Sequence, residues 1–444
     1  MLPFSESALA DVGRAAAEDA WRGGMTVEGP DGVVVEIPLV AEPEVLSRAD
    51  LSLLAVEARA ILSGAVKLAR ALLETGDERD REALMGPFQG LEAEAMARLF
   101  DEAPCPAIVA RVDFLAPVDG PPRALELNAT IPAMPGYADL AAHAWLRAAA
   151  RARGMTPRQA NDLVALAGSN MEALREALTA FYRWRGGTRA RPSIALVARP
   201  GDAQIGELRR LAEHFRQMGH EAANLVPAGC EPERWDILYR HVWAHRTPAD
   251  SPFARALREP ARYALANPVN GMLEAKALFA RLSECGEDEG LASRAGLDGM
   301  ERAAAQRLPV TRRLDRALSR RLLDERERWV LKRSWDYGGK SVHLGAEMAP
   351  DAWSRAVEEA LADGRGGGFI AQERVFAARR PATRVTPAGT ERAELFRDIS
   401  TYAGLGPFEP SGSVVRAASS PVVNILGGGG LAPVIPEDVA ARLG

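Results

Sequence analysis

The spacing of apolar positions predicts mainly helical structure in the first part of the chain. Apolar residues recur every three to four positions over residues 5–23, 50–76 and 155–184, which is the period of an amphipathic helix. Residues 33–40 are rich in valine and isoleucine and predict part of a short strand pair. Residues 106–128 also have strand character, with a turn of proline and glycine at their centre.

A different pattern begins near residue 192. The apolar run 193–199 predicts a buried strand, residues 203–219 an amphipathic helix, and residues 223–227 and 237–239 further strands. Strand–helix–strand order is typical of a parallel sheet covered by helices. A further helix is expected from about residue 272, followed by alternating strands and helices. The pattern therefore predicts an α/β protein.

The composition is ordinary for a globular protein. The chain has 444 residues, of which 47% are hydrophobic and 26% charged, enough for roughly three domains. The net charge of −5 gives no general attraction to nucleic acid. We find no signal peptide and no apolar run of the roughly 18 residues that a membrane span needs. Cys105, Cys230 and Cys285 are too far apart to predict a disulfide framework or zinc site, so a cytoplasmic protein is expected.

Four polar residues on two predicted strands form the first candidate site. Arg111 and Asp113 share one strand face, as do Glu126 and Asn128, because alternate residues point the same way. Two adjacent antiparallel strands would bring all four together. Carboxylate and amide oxygens suit Mg²⁺, and arginine suits a phosphate or carboxylate. The alternative is an ordinary Arg–Asp pair on an exposed sheet edge.

A lysine at the end of a predicted strand forms the second candidate site. Lys332 follows the apolar run Trp329–Leu331 and leads into a turn with Gly338 and Gly339. A lysine and open backbone N–H groups suit a polyphosphate. A Walker A loop is excluded, because Ser334 stands where that loop needs its first glycine. The alternative is a surface lysine before a hairpin turn.

Two further segments carry weaker signals. Polar Gln372 and Glu373, with Val375, end an apolar strand and could present backbone groups to adenine, although a plain sheet strand has the same pattern. Arg416 precedes a run of glycines at 427–430, which fits either close anion approach or a flexible loop. HExxH and G-x-S-x-G motifs are absent. His241 and His245 are four apart but are interpreted as surface residues, since the histidines show no zinc spacing.

Taken in order, the motifs resemble those of the glutathionylspermidine synthase-like, circularly permuted ATP-grasp proteins. The resemblance covers about residues 105–435 and rests on these segments: R-x-D-F at 111–114 with L-E-x-N-A at 125–129, D-I-L-Y-R at 236–240, N-P at 267–268 with K-A-L at 276–278, V-L-K at 330–332, and G-x-x-x-R at 412–416 with V-V-N at 422–424. In an ordinary ATP-grasp protein the metal carboxylates follow the lysine segment. Here Glu126 and Asn128 precede Lys332, which is the permuted order.

The resemblance implies an α/β (α+β) fold, namely ATP-grasp with a Rossmann-like pre-ATP-grasp domain. The implied regions are 1–104, mainly helical and of unassigned role; 105–190, the permuted metal-binding part of ATP-grasp; 191–268, the pre-ATP-grasp domain; 269–375, the nucleotide-binding lobe; and 376–444, the closing part with a glycine-rich loop. Residues 107–128 should then lie beside 395–430 in one sheet. A cleft should separate this lobe from 270–375, with Tyr239 or Arg240 facing the acceptor substrate.

The resemblance also implies residue roles. Asp113, Glu126 and Asn128 would hold Mg²⁺; Lys276 and Lys332, with Gly338 and Gly339, would contact ATP phosphates; Gln372, Glu373 and Val375 would line the adenine pocket; Arg111 and Arg416 would stabilise the transferring phosphoryl group or the acyl phosphate. The implied function is an ATP- and Mg²⁺-dependent carboxylate–amine ligase acting on a small-molecule acid and amine. The alternatives are an ATP-binding regulatory or scaffold protein without ligase activity, and a phosphotransferase. Neither the substrates nor the oligomeric state is indicated.

Overall fold

The structure is a computed structural model, which describes residues 3–29, 32–101, 107–336, 339, 341–425 and 427–444. Its helices are α1 (Glu6–Arg22), α2 (Arg48–Thr75), α3 (Glu78–Met85), α4 (Gly90–Met96), α5 (Pro135–Ala152), α6 (Pro157–Ala167), α7 (Asn170–Trp184), α8 (Ile205–Gln217), α9 (Pro252–Arg258), α10 (Lys276–Glu287), α11 (Glu289–Arg294), α12 (Gly299–Arg307), α13 (Arg316–Asp324), α14 (Pro350–Ala362) and α15 (Glu437–Ala440).

Its strands are β1 (Thr26–Glu28), β2 (Val34–Glu36), β3 (Leu39–Val40), β4 (Glu44–Leu46), β5 (Val109–Leu115), β6 (Arg123–Asn128), β7 (Ile194–Ala198), β8 (Ala222–Leu225), β9 (Ile237–His241), β10 (Leu265–Ala266), β11 (Thr311–Arg313), β12 (Trp329–Arg333), β13 (Val342–Leu344), β14 (Phe369–Glu373), β15 (Arg380–Thr386), β16 (Gly389–Gly404), β17 (Ser413–Ala418), β18 (Gly430–Ala432) and β19 (Val434–Pro436).

The helices predicted from apolar periodicity are present. Helices α1 and α2 lie where expected, and each begins at a serine whose hydroxyl accepts a backbone N–H of the first turn. The stretch 155–184 is two helices, because Gly168 has a positive φ of 86° and ends α6. Helix α5 has no counterpart among the predicted helices. It begins with Pro135 and Gly136, which are typical of loops, although proline is also favoured at a helix start.

A seven-stranded sheet within the described residues joins distant parts of the chain. Its order is β15-β3-β18-β17-β16-β5-β6. Strand β5 pairs antiparallel with both β6 and β16, and β16 pairs antiparallel with β17. The prediction that residues 107–128 lie beside 395–430 in one sheet is therefore confirmed. Strand β3 of the N-terminal region also enters this sheet, between β15 and β18.

Two four-stranded sheets flank the large one. The sheet β10-β9-β7-β8 is parallel throughout, as the strand–helix–strand pattern predicted. The sheet β11-β14-β12-β13 is antiparallel. Strands β1 and β2 form a hairpin, so the segment 33–40 is divided between two sheets. Helix α2 packs against β16, α10 and α12 and so connects the large sheet to these two helices.

Two remaining features concern thiols and membrane spans. Cys230 and Cys285 are buried free thiols, and Cys105 lies outside the described residues. Over the described ranges, none of the helices combines the length and the apolarity that crossing a membrane requires.

Candidate functional site

A cavity of about 410 Å³ opens where the three larger sheets meet. Its walls come from strands β5, β6, β16 and β17 of the seven-stranded sheet, from β12 to β14, and from the segments that follow β7 and β9. Every candidate site residue lines it except Gly338, which lies outside the described residues. The prediction of a cleft between the lobe formed by residues 107–128 and 395–430 and the lobe formed by residues 270–375 is therefore confirmed, and the segments after β7 and β9 flank it.

The register of β5 and β6 brings the first four candidates together. Arg111 lies opposite Asn128, and Asp113 lies opposite Glu126. The Arg111 guanidinium donates to both Asp113 carboxylate oxygens, with Nε to Oδ1 at 2.7 Å and Nη2 to Oδ2 at 3.0 Å. Asn128 Nδ2 donates to Asp113 Oδ2 at 3.1 Å. This is a buried bidentate pair, not an ordinary ion pair on an exposed edge.

Arg416 closes the group from β17. Its Nη2 donates to Asp113 Oδ2 at 2.8 Å, and its Nε donates to Asp398 Oδ1 at 3.1 Å. Burial would raise the pKa of Asp113, but Arg111 and Arg416 outweigh it and the pKa lies below its ordinary value. Burial lowers the pKa of Arg416, whereas Asp113 and Asp398 raise it. The pKa of Arg416 therefore lies above its ordinary value. Asp113 therefore stays ionised between two guanidinium groups.

Asp398 is a member of this group that the sequence analysis missed. It lies directly opposite Arg416 in the β16–β17 register and is buried. Burial raises its pKa despite the Arg416 pair. Only the strand register reveals it, since an aspartate within a long strand has no motif of its own.

Two lysines flank the same site. Lys332 is buried on β12, and its Nζ donates to Gln372 Oε1 at 2.7 Å and lies 3.5 Å from the Leu125 carbonyl. Burial lowers the pKa of Lys332 to about 8. Lys276, the first residue of α10, donates through Nζ to the Asp336 carbonyl at 3.0 Å and lies 3.9 Å from Glu126 Oε2. The interpretation of Lys332 as a surface lysine is thus wrong.

The polar residues at the end of β14 connect two sheets. Gln372 Nε2 donates to the Leu125 carbonyl on β6 and to Thr311 Oγ1, each at 3.1 Å. Glu373 lies 3.3 Å from Arg328 and 3.8 Å from Arg123, so its carboxylate is ion-paired at the cleft rim. Val375 is buried.

Gly339 has a positive φ of 71°, and a Cβ there would lie 2.7 Å from Val422. The turn after Lys332 therefore touches the segment that precedes the glycine run, across the cleft, and a larger residue would separate the two.

The expectation for Tyr239 and Arg240 is wrong. Both are buried, and the Arg240 guanidinium donates to the carbonyl oxygens of Val242, Asn267 and Pro268. Arg240 therefore has a structural role, because its guanidinium group binds backbone carbonyl oxygens. His241 is also buried, not a surface residue, and contacts Gln204. The residues of this unit that do reach the cavity include Arg199, Asp202, Gln204, Trp243 and Arg246.

The loop between β6 and α5, residues 129–134, forms another wall and is fixed by buried polar side chains. Asn267 Nδ2 donates to the Thr130 carbonyl at 2.7 Å, and Asn270 Nδ2 donates to the Ala129 carbonyl at 3.1 Å. Glu274 accepts the Thr130 N–H, and burial raises the pKa of Glu274. The N-P pair at 267–268 points to Asn267, whereas no sequence motif gives a signal for Asn270 or Glu274.

The oxygen atoms of Glu126 and Asn128, on one side of Asp113, are suitable ligands for a hard cation. The contacts of Glu126 with described residues are long: 3.5 Å to Asn128 Nδ2 and 3.9 Å to Lys276 Nζ. Because Asn128 Nδ2 donates to Asp113, its amide oxygen is directed elsewhere. One carboxylate and one amide oxygen are suitable Mg²⁺ ligands when phosphate and water complete the shell. Among described residues, no cluster of three or more His, Cys, Asp and Glu side chains could hold a metal.

Comparison with known proteins identifies the fold. No protein-family model matches the chain, and no curated protein matches it. A solved structure of a glutathione synthetase-like effector from Globodera pallida, in its apo form, is similar with a TM-score of 0.61 over 98% of this chain and 99% of that chain, at 13% sequence identity. A proposed gamma-glutamylcysteine synthetase from Methylobacillus flagellatus KT matches with a TM-score of 0.35 over 76% of this chain and 83% of that chain, at 12% identity. The first likeness shows that this chain has a glutathione synthetase-like fold.

Proposed function

We propose that this protein is an ATP- and Mg²⁺-dependent carboxylate–amine ligase that forms an amide bond on a small molecule. The observation that carries the proposal is the convergence of four cationic side chains on one cavity, beside three carboxylates: Arg111, Arg416, Lys276 and Lys332 with Asp113, Glu126 and Asp398. Over the whole lining of the cavity, eight lysine and arginine side chains face seven aspartate and glutamate side chains, so the cations are in slight excess. Such a site is suited to the triphosphate and carboxylate that an acyl-phosphate-forming enzyme must bring together.

The proposed fold assignment is a circularly permuted ATP-grasp, with the five regions given above as its parts. It is supported by chain order, since the carboxylate strands β5 and β6 precede the lysine strand β12, yet both line one cleft. The parallel sheet of β7 to β10 supports a pre-ATP-grasp unit. The N-terminal residues contribute β3 to the large sheet, so the proposed region 1–104 is structurally joined to the ATP-grasp part.

Residue roles follow from position in the cavity. Glu126 and Asn128 would hold Mg²⁺, which supplies charge neutralisation for phosphate oxygens when bound. Asp113 is the third proposed ligand; it accepts four hydrogen bonds and would have to release one of them. Lys276, Lys332 and the turn at Gly339 would contact phosphates. Gln372, Glu373 and Val375 would line the adenine pocket.

The proposed reaction has two steps. A carboxylate oxygen of the acid attacks the γ-phosphorus of ATP, the bond from phosphorus to the bridging oxygen breaks, and ADP leaves. The amine nitrogen then attacks the acyl carbon, inorganic phosphate leaves, and the nitrogen loses a proton. Arg111 and Arg416 would stabilise the charge on the transferring group, and the cleft would hold the reactants in line.

The proposal is tested by trapping the acyl phosphate with hydroxylamine. The enzyme is incubated with Mg·ATP, hydroxylamine and a panel of amino acids, small peptides and other carboxylic acids, and hydroxamate and ADP are both measured. Acid-dependent, equimolar hydroxamate and ADP support a ligase. Acid-dependent ADP without hydroxamate, together with a stable phosphorylated product, would instead indicate a phosphotransferase.

A matched variant excludes a contaminating activity. Arg416→Lys keeps the charge but loses the fork that binds Asp113 and Asp398 together, so hydroxamate formation should fall steeply. The control is Arg320→Lys, on the exposed face of α13. Equal hydroxamate formation by wild type and Arg416→Lys would contradict the role of Arg416.

A further inference from the structure

Glu207 is a fully buried carboxylate that belongs to no predicted motif. It lies in the first turn of α8, yet its oxygens contact the start of a different helix, α5. Oε2 accepts the Met134 N–H at 3.0 Å, and Oε1 accepts the Gly136 N–H at 2.9 Å. Glu207 therefore caps α5 from outside, in place of the side-chain cap that Met134 cannot provide.

The backbone at Met134 is held in an unfavourable conformation. Its φ of 96° lies in the left-handed region, which side chains other than glycine seldom adopt. Such a conformation persists only where the surroundings impose it, and such residues cluster at functional sites. Here the Glu207 carboxylate binds the N–H groups on both sides of Pro135, and Met134 lines the cavity.

The sequence allows the close approach of Glu207. A Cβ on Gly136 would lie 3.2 Å from Glu207 Cγ, and a Cβ on Gly206 would lie 3.3 Å from the hydroxyl oxygen of Tyr137 on α5. Small residues at both positions let α8 and α5 come near enough for the carboxylate to bind two N–H groups.

The residue before Met134 connects this cap to the candidate site. The Ala133 carbonyl accepts a hydrogen bond from Arg111 Nη1 at 3.2 Å and from the Tyr402 hydroxyl at 3.0 Å. The same arginine holds Asp113 with its other nitrogens. The chain of contacts therefore runs from Glu207 through the backbone of residues 133–136 to Arg111 and the cleft.

We propose that Glu207 is a positioning residue, which in its ionised form fixes residues 129–136 and Arg111 as the acid-binding wall of the ligase site. That this wall binds an acid rests on the proposed function. That Glu207 fixes residues 129–136 rests only on the hydrogen bonds described above. Ionised Glu207 offers one oxygen to each N–H. A protonated carboxyl group has one O–H donor, so one N–H loses its acceptor.

The surroundings of Glu207 make the protonation state of its carboxyl group sensitive to pH near neutrality. Burial raises the pKa of Glu207 to about 7, although Met134, Gly136 and Arg111 act to lower it. The other titratable groups that interact with it are tyrosines: Tyr137 of α5, Tyr239 of β9 and Tyr402 of β16. Burial raises the pKa of each tyrosine, so they stay neutral. Asp202, before α8, interacts with Tyr137. Arg111 of β5 is the cation of the group.

Amide hydrogen exchange measures the position of the loop without any substrate. Wild type, Glu207→Gln and the control Glu213→Gln, an exposed position on the same helix, are compared at pH 8 and pH 6. The exchange rates of peptides covering residues 129–140 are corrected for the pH dependence of intrinsic amide exchange. They are then normalised to the rates of peptides from α14. In wild type we expect protection to fall roughly tenfold from pH 8 to pH 6, since Glu207 gains its proton between them.

Glu207→Gln should exchange fast at both pH values, because glutamine has one acceptor oxygen for two N–H groups. Glu213→Gln should behave as wild type. Wild-type protection in Glu207→Gln at pH 8 would overturn the proposal, as would equal wild-type protection at pH 8 and pH 6. The wild-type comparison stands even if Glu207→Gln does not fold.

A second measurement connects the loop to substrate binding. For an acid that gives hydroxamate, Glu207→Gln should raise the KM for the acid roughly fivefold or more while the Kd for Mg·ATP stays within about twofold, since the nucleotide residues lie on other strands. An unchanged KM would remove the acid-wall role. If no acid gives hydroxamate, the proposed function fails while the exchange result still decides whether Glu207 fixes the loop.

Discussion

Lys332 illustrates how burial changes the chemistry of a single side chain. It lies on β12 with Gln372 as its hydrogen-bond acceptor, and burial lowers its pKa to about 8. A bound triphosphate would favour the charged form. Lys332→Met removes the charge at similar volume, so the Kd for Mg·ATP should rise roughly 10- to 100-fold, the equivalent of about 1.5–3 kcal/mol for a charged hydrogen bond. Isothermal titration measures it, with the exposed Arg320→Met as control.

The same pKa predicts the sign of a pH dependence. In the nucleotide-free protein, Lys332 is mostly charged below pH 8 and can bind phosphate directly. Above pH 8 it is mostly deprotonated, so nucleotide binding must be accompanied by uptake of a proton. The affinity for Mg·ATP should therefore fall as pH rises from 7.5 to 9 in wild type, and this part of the fall should vanish in Lys332→Met. The same slope in both proteins would show that another group titrates.

Glu126 differs from Asp113 in that its contacts are long and it is about one third exposed, at 32%. A carboxylate so placed contributes little to the fold. Glu126→Ala should abolish acid-dependent ADP formation and leave the melting temperature within about 2 °C of wild type. The control is Glu358→Ala on the exposed face of α14, which should retain full activity. Normal turnover of Glu126→Ala at saturating Mg·ATP would remove Glu126 from the metal site.

At the scale of elements, the starts of α5 and α7 are each capped by a side chain from another helix. Glu207 caps α5, and Asp139 caps α7: its carboxylate accepts the Asn170 N–H at 2.8 Å and the Met171 N–H at 3.0 Å. Sequence rules place a cap next to its own helix, so these remote caps escape them. The strands β5 and β6, by contrast, were predictable, because their turn and their alternation are local.

The Asp139 cap gives a stability prediction. Asp139 is buried, and Asp139→Ala removes the acceptor of the half-buried Asn170 N–H and the buried Met171 N–H, which should cost about 1–3 kcal/mol. The melting temperature should fall by roughly 3 °C or more. Asp162→Ala, at an exposed position of α6, provides the matched control. An unchanged melting temperature in Asp139→Ala would mean that water or another group replaces the cap.

At the scale of the whole molecule, the N-terminal region completes the sheet that carries the site. Strand β3 lies between β15 and β18, and α2 packs against β16. Deletion of residues 1–47 should open the sheet and expose strand edges, so the product should aggregate or lose its cooperative melting transition. Thermal unfolding followed by circular dichroism measures this. A truncated chain that melts as wild type does would show that residues 1–47 are dispensable for the sheet.

The sequence by itself determined the local elements and the residue types of the site. Periodicity located α1, α2 and the parallel unit, and the order of short motifs selected eleven described residues that all line one cavity. Tertiary structure alone decided that Asp398 joins Arg416, that Arg240 is structural, that Glu207 and Glu274 fix the loop after β6, and that β3 enters the large sheet. The reason is physical. Propensity and spacing act between neighbours in the chain, whereas strand register, burial and remote caps depend on packing between segments that are not neighbours in the chain.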